Sequence, residues 1–264
     1  AASRDETGTF VRDLVLENAA VSATGGAELR SDNSQARFKA TLADISLIVP
    51  QYSGPVTITA QADQDTRGWT IDAQTDGPFG AKLTAKGLAT GENAALNFTA
   101  NVPELKDFVP DAPLGGKVAL DGILRQTPEG WQIDTKASAP DDIVASVKGL
   151  VMPLDLSFEA SIPHVQTFVP QISGGVLAAG TLKQLDQGFQ INAKATGPYD
   201  AQVAVQGMLT PMIDITFDAS IPNVGQIVPQ VNGPVSATGT VRQTEKGFFV
   251  NTNATGPHGA RAMV

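Results

Sequence analysis

The residues that could do acid–base or metal chemistry in this chain are few, and they do not converge. His164 in "SIPHVQTFVP" and His258 in "TGPHGARAMV" are the only two histidines among 264 residues. Either could act as a general base or a metal ligand, but both roles need partner groups at hydrogen-bonding or coordination distance. The two sit in unlike segments, and the stretches that match His164 elsewhere carry Glu104 and Asn223 in its place. Asp141-Asp142 and the acids of "PELKD" read as solvated carboxylates at a turn and a helix start. "NFT" at Asn97 and "NAT" at Asn253 fit the glycosylation pattern, yet both read as ordinary strand and turn residues. No metal-ligand spacing, nucleophile elbow or phosphate loop is written into the chain. Cysteine is absent, which excludes thiolate catalysis, thiolate metal sites and disulfides. The chain reads as a non-enzyme with no cofactor and no metal.

What remains is apolar chemistry, and it has a strict period. In "DITFDASI" the residues Ile215, Phe217, Ala219 and Ile221 alternate with Asp214, Thr216, Asp218 and Ser220. "FQINAKAT" sets Phe189, Ile191, Ala193 and Ala195 against Gln190, Asn192, Lys194 and Thr196. "AQVAVQG" contributes Ala201, Val203, Val205 and Gly207, and "VSATGTV" contributes Val235, Ala237, Gly239 and Val241. Period two marks strands with one dry face and one wet face.

The elements that carry this pattern repeat. Phe38, Phe98, Phe158 and Phe217 recur at intervals of 60, 60 and 59 residues, and Pro50, Pro110, Pro170 and Pro229 keep the same beat. Gly-aromatic pairs recur at Gly68-Trp69, Gly130-Trp131, Gly188-Phe189 and Gly247-Phe248. Turn signals recur at Gly77-Pro78, Ala139-Pro140, Gly197-Pro198 and Gly256-Pro257. Such a period means a stacked array rather than a compact globule, with about four antiparallel strands per unit and about fifteen in all. The repeats are taken as 1–37 (partial), 38–97, 98–157, 158–216 and 217–264 (partial). Both ends fall inside repeats, so the chain is read as a segment of a longer protein. A net charge of −9 argues against nucleic acid and against docking on an anionic membrane surface.

One phrase per repeat departs from period two. In "IPHVQTFVP" the residues Ile162, Val165, Phe168 and Val169 fit a helical face, Pro163 suits the first helical position, and Pro170 stops the element. The spacing predicts a helix of one to two turns docked on the sheet. Gly122, Gly180 and Gly239, with Gly87, Gly149 and Gly207, fall on the apolar side, where they either kink the sheet or leave room for a ligand. The apolar face itself has two outcomes. It closes into a solenoid with a dry core, or it curls into an open trough; the many alanines leave more volume than a filled core wants.

The unit "F-x-A-x-[IV]-P-x-[VL]-x-x-[FI]-V-P-x-x-x-G-[GP]-V", followed by alternating strands and G-[WF]-x-[IV], resembles repeats of the TamB family, whose members are AsmA-like translocation and assembly module subunits. The resemblance covers residues 38–264 well and the first 37 loosely. It implies an all-β array of antiparallel strands curled into an open, taco-like groove, with one short helix per repeat. It implies the periplasmic part of an inner-membrane-anchored protein of a Gram-negative bacterium, with the anchor outside this segment. It also implies phospholipid or other acyl-chain cargo carried between the membranes. A second implication is assembly of outer-membrane and autotransporter proteins with a TamA-like Omp85 partner. A closed structural or adhesive solenoid without ligand is the reading from another class. The lipid-binding wall implied in the first half is Trp69, Ile71, Leu83, Leu96, Phe98, Leu120, Trp131 and Ile133. In the second half it is Val147, Leu156, Phe158, Val176, Phe189, Ile191, Val203, Val205, Ile215, Phe217, Val235, Phe248 and Val250.

Overall fold

The alternating segments form strands wherever two turn signals bound them, and each strand pairs with the next in sequence. The computed structural model describes residues 2–31, 33–245 and 247–263. It divides into two compact units, Ala1–Pro140 and Asp141–Val264. The first holds β1 (Ala2–Asp5), β2 (Gly8–Glu17), β3 (Val21–Leu29), β4 (Gln35–Leu42), β5 (Val56–Asp65), β6 (Gly68–Asp76), β7 (Lys82–Leu88), β8 (Ala95–Val102), β9 (Val118–Thr127) and β10 (Gly130–Ala139). The second holds β11 (Ile143–Val151), β12 (Leu154–Ile162), β13 (Val176–Leu185), β14 (Gly188–Thr196), β15 (Gln202–Met208), β16 (Asp214–Ile221), β17 (Val235–Thr244), β18 (Gly247–Thr255) and β19 (Arg261–Met263).

Within each unit the strands form an antiparallel meander, and neither unit's last strand returns to pair with its first. The sheets are open. Among the described residues nineteen strands stand where about fifteen were expected, and three of them, β1 to β3, precede Gln35. Among the described pairings one register shift is present, between Val11 and Leu14 on β2. There an extra residue bulges out and Asp13 takes φ 52°. The bulge keeps Asp13 off the apolar side and puts Leu14 and Leu16 opposite Gly25 and Ala23.

The predicted helices are shorter than expected. Each is a single 3-10 turn of three residues: Ile45–Leu47, Leu105–Asp107, Val165–Thr167 and Val224–Gln226. Pro163 precedes the His164 cap instead of occupying the first helical position. The reason lies in how the loop closes. The first amide of each turn donates to a glycine carbonyl farther along: Ile45 to Gly54, Leu105 to Gly116, Val165 to Gly174 and Val224 to Gly233. That bond pulls the chain back towards the next strand before a second turn can form.

A side chain completes three of these loops. Asp44 Oδ1 accepts from the amides of Ser46 (2.9 Å) and Gly54 (3.1 Å). Asn223 Oδ1 accepts from Gly225 (3.0 Å) and Gly233 (3.2 Å). The loop with two more residues uses the longer Glu104, whose Oε1 accepts from Lys106 (3.1 Å) and Gly116 (2.7 Å). His164 makes no such cap. The position of the histidine is thus a structural capping site, and the "PELKD" acid is a cap rather than a merely solvated carboxylate.

Two outcomes follow from these caps. Replacing His164 by Asn supplies the missing acceptor and should raise stability by roughly 0.5–1 kcal/mol, while Asn223→Ala should cost about 1 kcal/mol, both read from urea unfolding. Acid should weaken the other two loops. The Ser46 and then the Gly54 amide hold the Asp44 carboxyl below its ordinary value, and the Gly116 and then the Lys106 amide do the same for Glu104. A depressed folded pKa gives stability that is present above the unfolded pKa and lost as pH falls through the folded one. The urea midpoint should therefore drop on acidification, and drop less in an Asp44→Asn, Glu104→Gln variant. An equal acid loss in that variant would count against the caps.

Candidate apolar binding face

Residues directly opposite in an antiparallel pair share a face, so the register alone sorts the side chains into rows that cross the strands. In the second unit one row reads Gly149, Leu156, Leu182, Ile191, Gly207, Ile215, Val241, Val250. The next reads Val147, Phe158, Gly180, Ala193, Val205, Phe217, Gly239, Thr252. Beside it runs Ala145, Ala160, Ala178, Ala195, Val203, Ala219, Ala237, Ala254, Ala262, a lane broken by one valine. Branched pairs bound that lane where the 3-10 loops begin, Ile162 with Val176 and Ile221 with Val235. At the other edge each turn aromatic faces a glutamine, Phe189 opposite Gln184 and Phe248 opposite Gln243.

The first unit has the same plan with bulkier residues. Ile71, Gly87, Leu96, Leu124 and Ile133 form one row. Ala60, Ala73, Ala85, Phe98 and Gly122 form the next. Leu83, Ala100, Leu120 and Ala137 form a third. Trp69 opposite Gln64 and Trp131 opposite Gln126 make the glutamine–aromatic rim. Every residue expected in the wall therefore lies on the single apolar face of its own unit. Sequence reasoning left out Leu124, Leu182 and Val241, which the same row test would have found. It also left out Phe38, which sits opposite Gly25 and Ala60.

The glycines have a use that neither sequence reading contained. Phe98, Phe158 and Phe217 lie directly opposite Gly122, Gly180 and Gly239. A Cβ built on those glycines would fall 2.6, 2.7 and 2.7 Å from the respective ring Cζ atoms. Each ring lies over the notch its glycine leaves, so the largest side chains of the middle row lie flat on the sheet. These three positions are neither bulges nor empty space, and the pairing runs through them without a shift. Gly87, Gly149 and Gly207 differ: with φ of 146°, 134° and 146° they allow the carbonyls of Ala95, Asp155 and Asp214 to come close.

In neither unit do the described residues seal this face into a core. Among the described residues only Phe10, Ala94 and Leu114 are buried apolar side chains. The predicted wall is mostly half-buried and is open at places such as Leu83 (47% exposed), Val203 (42%) and Phe248 (64%). Depressions of about 510 and 760 Å³ open on the opposite, polar face, lined by Thr24, Lys39, Gln61 and Gln74 in one unit and by Asn192, Gln206, Thr240 and Asn251 in the other. His164 is exposed at its loop, with Nδ1 3.4 Å from the Asp141 carbonyl oxygen. His258 lies in another turn at φ 58°. No group of three or more metal-ligating side chains converges among the described residues, and no helix is long and apolar enough to cross a membrane.

Comparison with known proteins adds little. No protein-family model matches the chain, and no solved structure matches it. It is 28% identical over 143 residues to the Chromodomain Y-like protein of Mus musculus and 26% identical over 138 residues to that of Rattus norvegicus. The human protein is 25% identical over 143 residues. Each alignment takes in 51% of this chain, and the chain spans 22% of the length of these relatives. Identity and coverage at this level establish no family.

The arrangement offers hydrocarbon contact without directional polar contact. Its distinctive part is the seat of each ring, which is testable by filling one notch. Gly180→Ala would set a methyl against the Phe158 ring and the Asn192 carbonyl, and overpacking of this kind costs about 2 kcal/mol. At Gly197 the nearest heavy atom to an added Cβ is 3.7 Å away. Gly197→Ala should therefore be neutral or slightly stabilising. Equal thermal midpoints for the two variants would remove the seat from the account.

Proposed function

We propose that the apolar face holds the acyl chains of phospholipid, and that the chain is a segment of a TamB-like, periplasm-spanning carrier without enzymatic activity. The observation that carries this reading is the uncovered face itself. In each unit, an open sheet whose described apolar lining is at most half-buried leaves an apolar surface that calls for a ligand or partner. Its chemistry favours lipid tails. The rows run across the strands and contain hydrocarbon almost throughout, and the alanine lane is bordered by taller residues on both sides. The flattened Phe158 and Phe217 rings leave the lane open along its length. At about 4.8 Å per strand, nine successive positions span on the order of 38 Å, long enough for an extended acyl chain to lie across several strands. In this reading each unit curls so that the apolar face is the inner one, and the glutamine–aromatic rim meets the polar head-group end. An outer-membrane Omp85-type partner of the TamA kind would belong to the longer parent protein. The same face would hold apolar strands of an unfolded outer-membrane client less well, because the exposed main chain of such a strand finds no hydrogen-bond partners there.

The test places a charge in the lane. Val203 is already 42% exposed, so the guanidinium of Val203→Arg can reach water by extending its stem and folding should survive. The far-ultraviolet circular dichroism and thermal midpoint should stay close to those of the parent. Native mass spectrometry of the parent chain should show co-purified phospholipid, and the variant should retain at least tenfold less. Brominated phospholipid should quench Trp69 and Trp131 fluorescence in the parent. A chain that purifies free of lipid and gives no quenching would overturn the reading.

A further inference from the structure

The polar face of the second unit is built as regularly as the apolar one. Asn192, Gln206, Thr216, Thr240 and Asn251 are consecutive partners from β14 to β18 and form one uncharged row of amides and hydroxyls. The 760 Å³ depression follows this row. Among the described residues, the side chains of Asn192, Gln206, Thr240 and Asn251 make no hydrogen bond within the protein, so their donors and acceptors face outward. The lining carries one cation and one acid, Lys194 and Asp218, and is electrically balanced. Phe249 breaks the polar pattern. It lies on the same face, two residues from Asn251, and is 56% exposed. Its direct cross-strand neighbour is Arg242, which is paired with Asp214 at 3.1 Å, and beside that neutral pair the ring offers a flat apolar platform.

We propose that this row is a binding site for a neutral, linear oligosaccharide lying across the strands. Each element of the site matches one property of such a chain. Amides donate and accept at neighbouring atoms, as vicinal sugar hydroxyls do. Amide and hydroxyl groups recur once per strand at about 4.8 Å, a spacing close to one pyranose ring. The absence of net charge disfavours nucleic acid and acidic lipids, while Phe249 can stack on the C–H face of a terminal ring. Every sugar hydroxyl displaced from water must be met by a partner, and here the amides are engaged by no other protein group and can exchange their solvent for a ligand.

The test uses the full chain, isotope-labelled, titrated with cellohexaose and chitohexaose, with an oligogalacturonate of the same length as the charged control. At least one neutral oligosaccharide should shift the side-chain amide signals of Asn192, Gln206 and Asn251 in a saturable manner. The acidic oligomer should bind more weakly. Phe249→Ala and Asn251→Ala should each weaken binding about tenfold while leaving the thermal midpoint unchanged, both positions being exposed. No saturable shift with either neutral oligosaccharide, tighter binding of the acidic one, or unchanged affinity in both variants would overturn the proposal and leave a merely solvated face. Val203→Arg on the other face should bind sugar normally, so failure here is separable from failure of the acyl-chain reading.

Discussion

Everything in this protein depends on an unbroken cross-strand register. Side chains alternate with period two, so a slip of a single residue in one strand would move its leucines and phenylalanines to the wet side and its aspartates to the dry side. From β3 to β10 in one unit and from β11 to β19 in the other, the partners follow one another without such a slip. At the one exception among the described pairings the sequence itself is out of phase, and the β2 bulge restores the phase by expelling Asp13. Charged pairs on the polar face add to the same end. Lys86–Asp72 at 2.7 Å, Lys183–Asp155 at 2.8 Å and Arg242–Asp214 at 3.1 Å join neighbouring strands. Exposed as they are, each contributes little energy, but a slipped register would separate them or bring like charges together.

A single layer cannot draw its stability from a sealed core. Its apolar side chains are shielded mainly by their neighbours in the row, with the hydrogen-bond ladder beneath them. The phenylalanine seats fit this situation. A ring laid over a glycine covers main chain that would otherwise be open to water, and gains contact area that a ring standing upright on an uncovered sheet would lack. The loops take up the remaining polar groups at the sheet margin. The first 3-10 amide and two further amides are satisfied within each of three loops, so the chain reverses there without help from a second layer.

The same economy explains why the two faces can be put to different uses. The apolar face is continuous but directionless, suited to hydrocarbon that slides. The polar face has discrete donors and acceptors at fixed intervals, suited to a ligand that is itself periodic. Because the faces share one backbone, a residue two positions along a strand changes a lane on the same face, and a residue one position along changes only the other.

Much of this was legible in the residues. The alternation in "DITFDASI" and "FQINAKAT" assigns Ile215, Phe217, Phe189 and Ile191 to one face whatever the strands pair with, because the pleat has period two in every sheet. The four-strand unit and its turn edges follow from glycine and proline for similarly local reasons. Three things were decided only by the tertiary structure. Which glycine meets which phenylalanine depends on pairing between strands some twenty residues apart, and no local pattern distinguishes a seat from a kink. The helix of "IPHVQTFVP" shrank to a 3-10 turn because a hydrogen bond from Val165 to Gly174 closes the loop, and its apolar spacing is equally compatible with both. Whether the apolar face is sealed is the largest of the three. An i, i+2 pattern is identical in a closed solenoid and an open sheet, since it records which side avoids water and not what stands opposite. Only the arrangement of whole strands, ending in each unit without return, leaves that side without a covering layer.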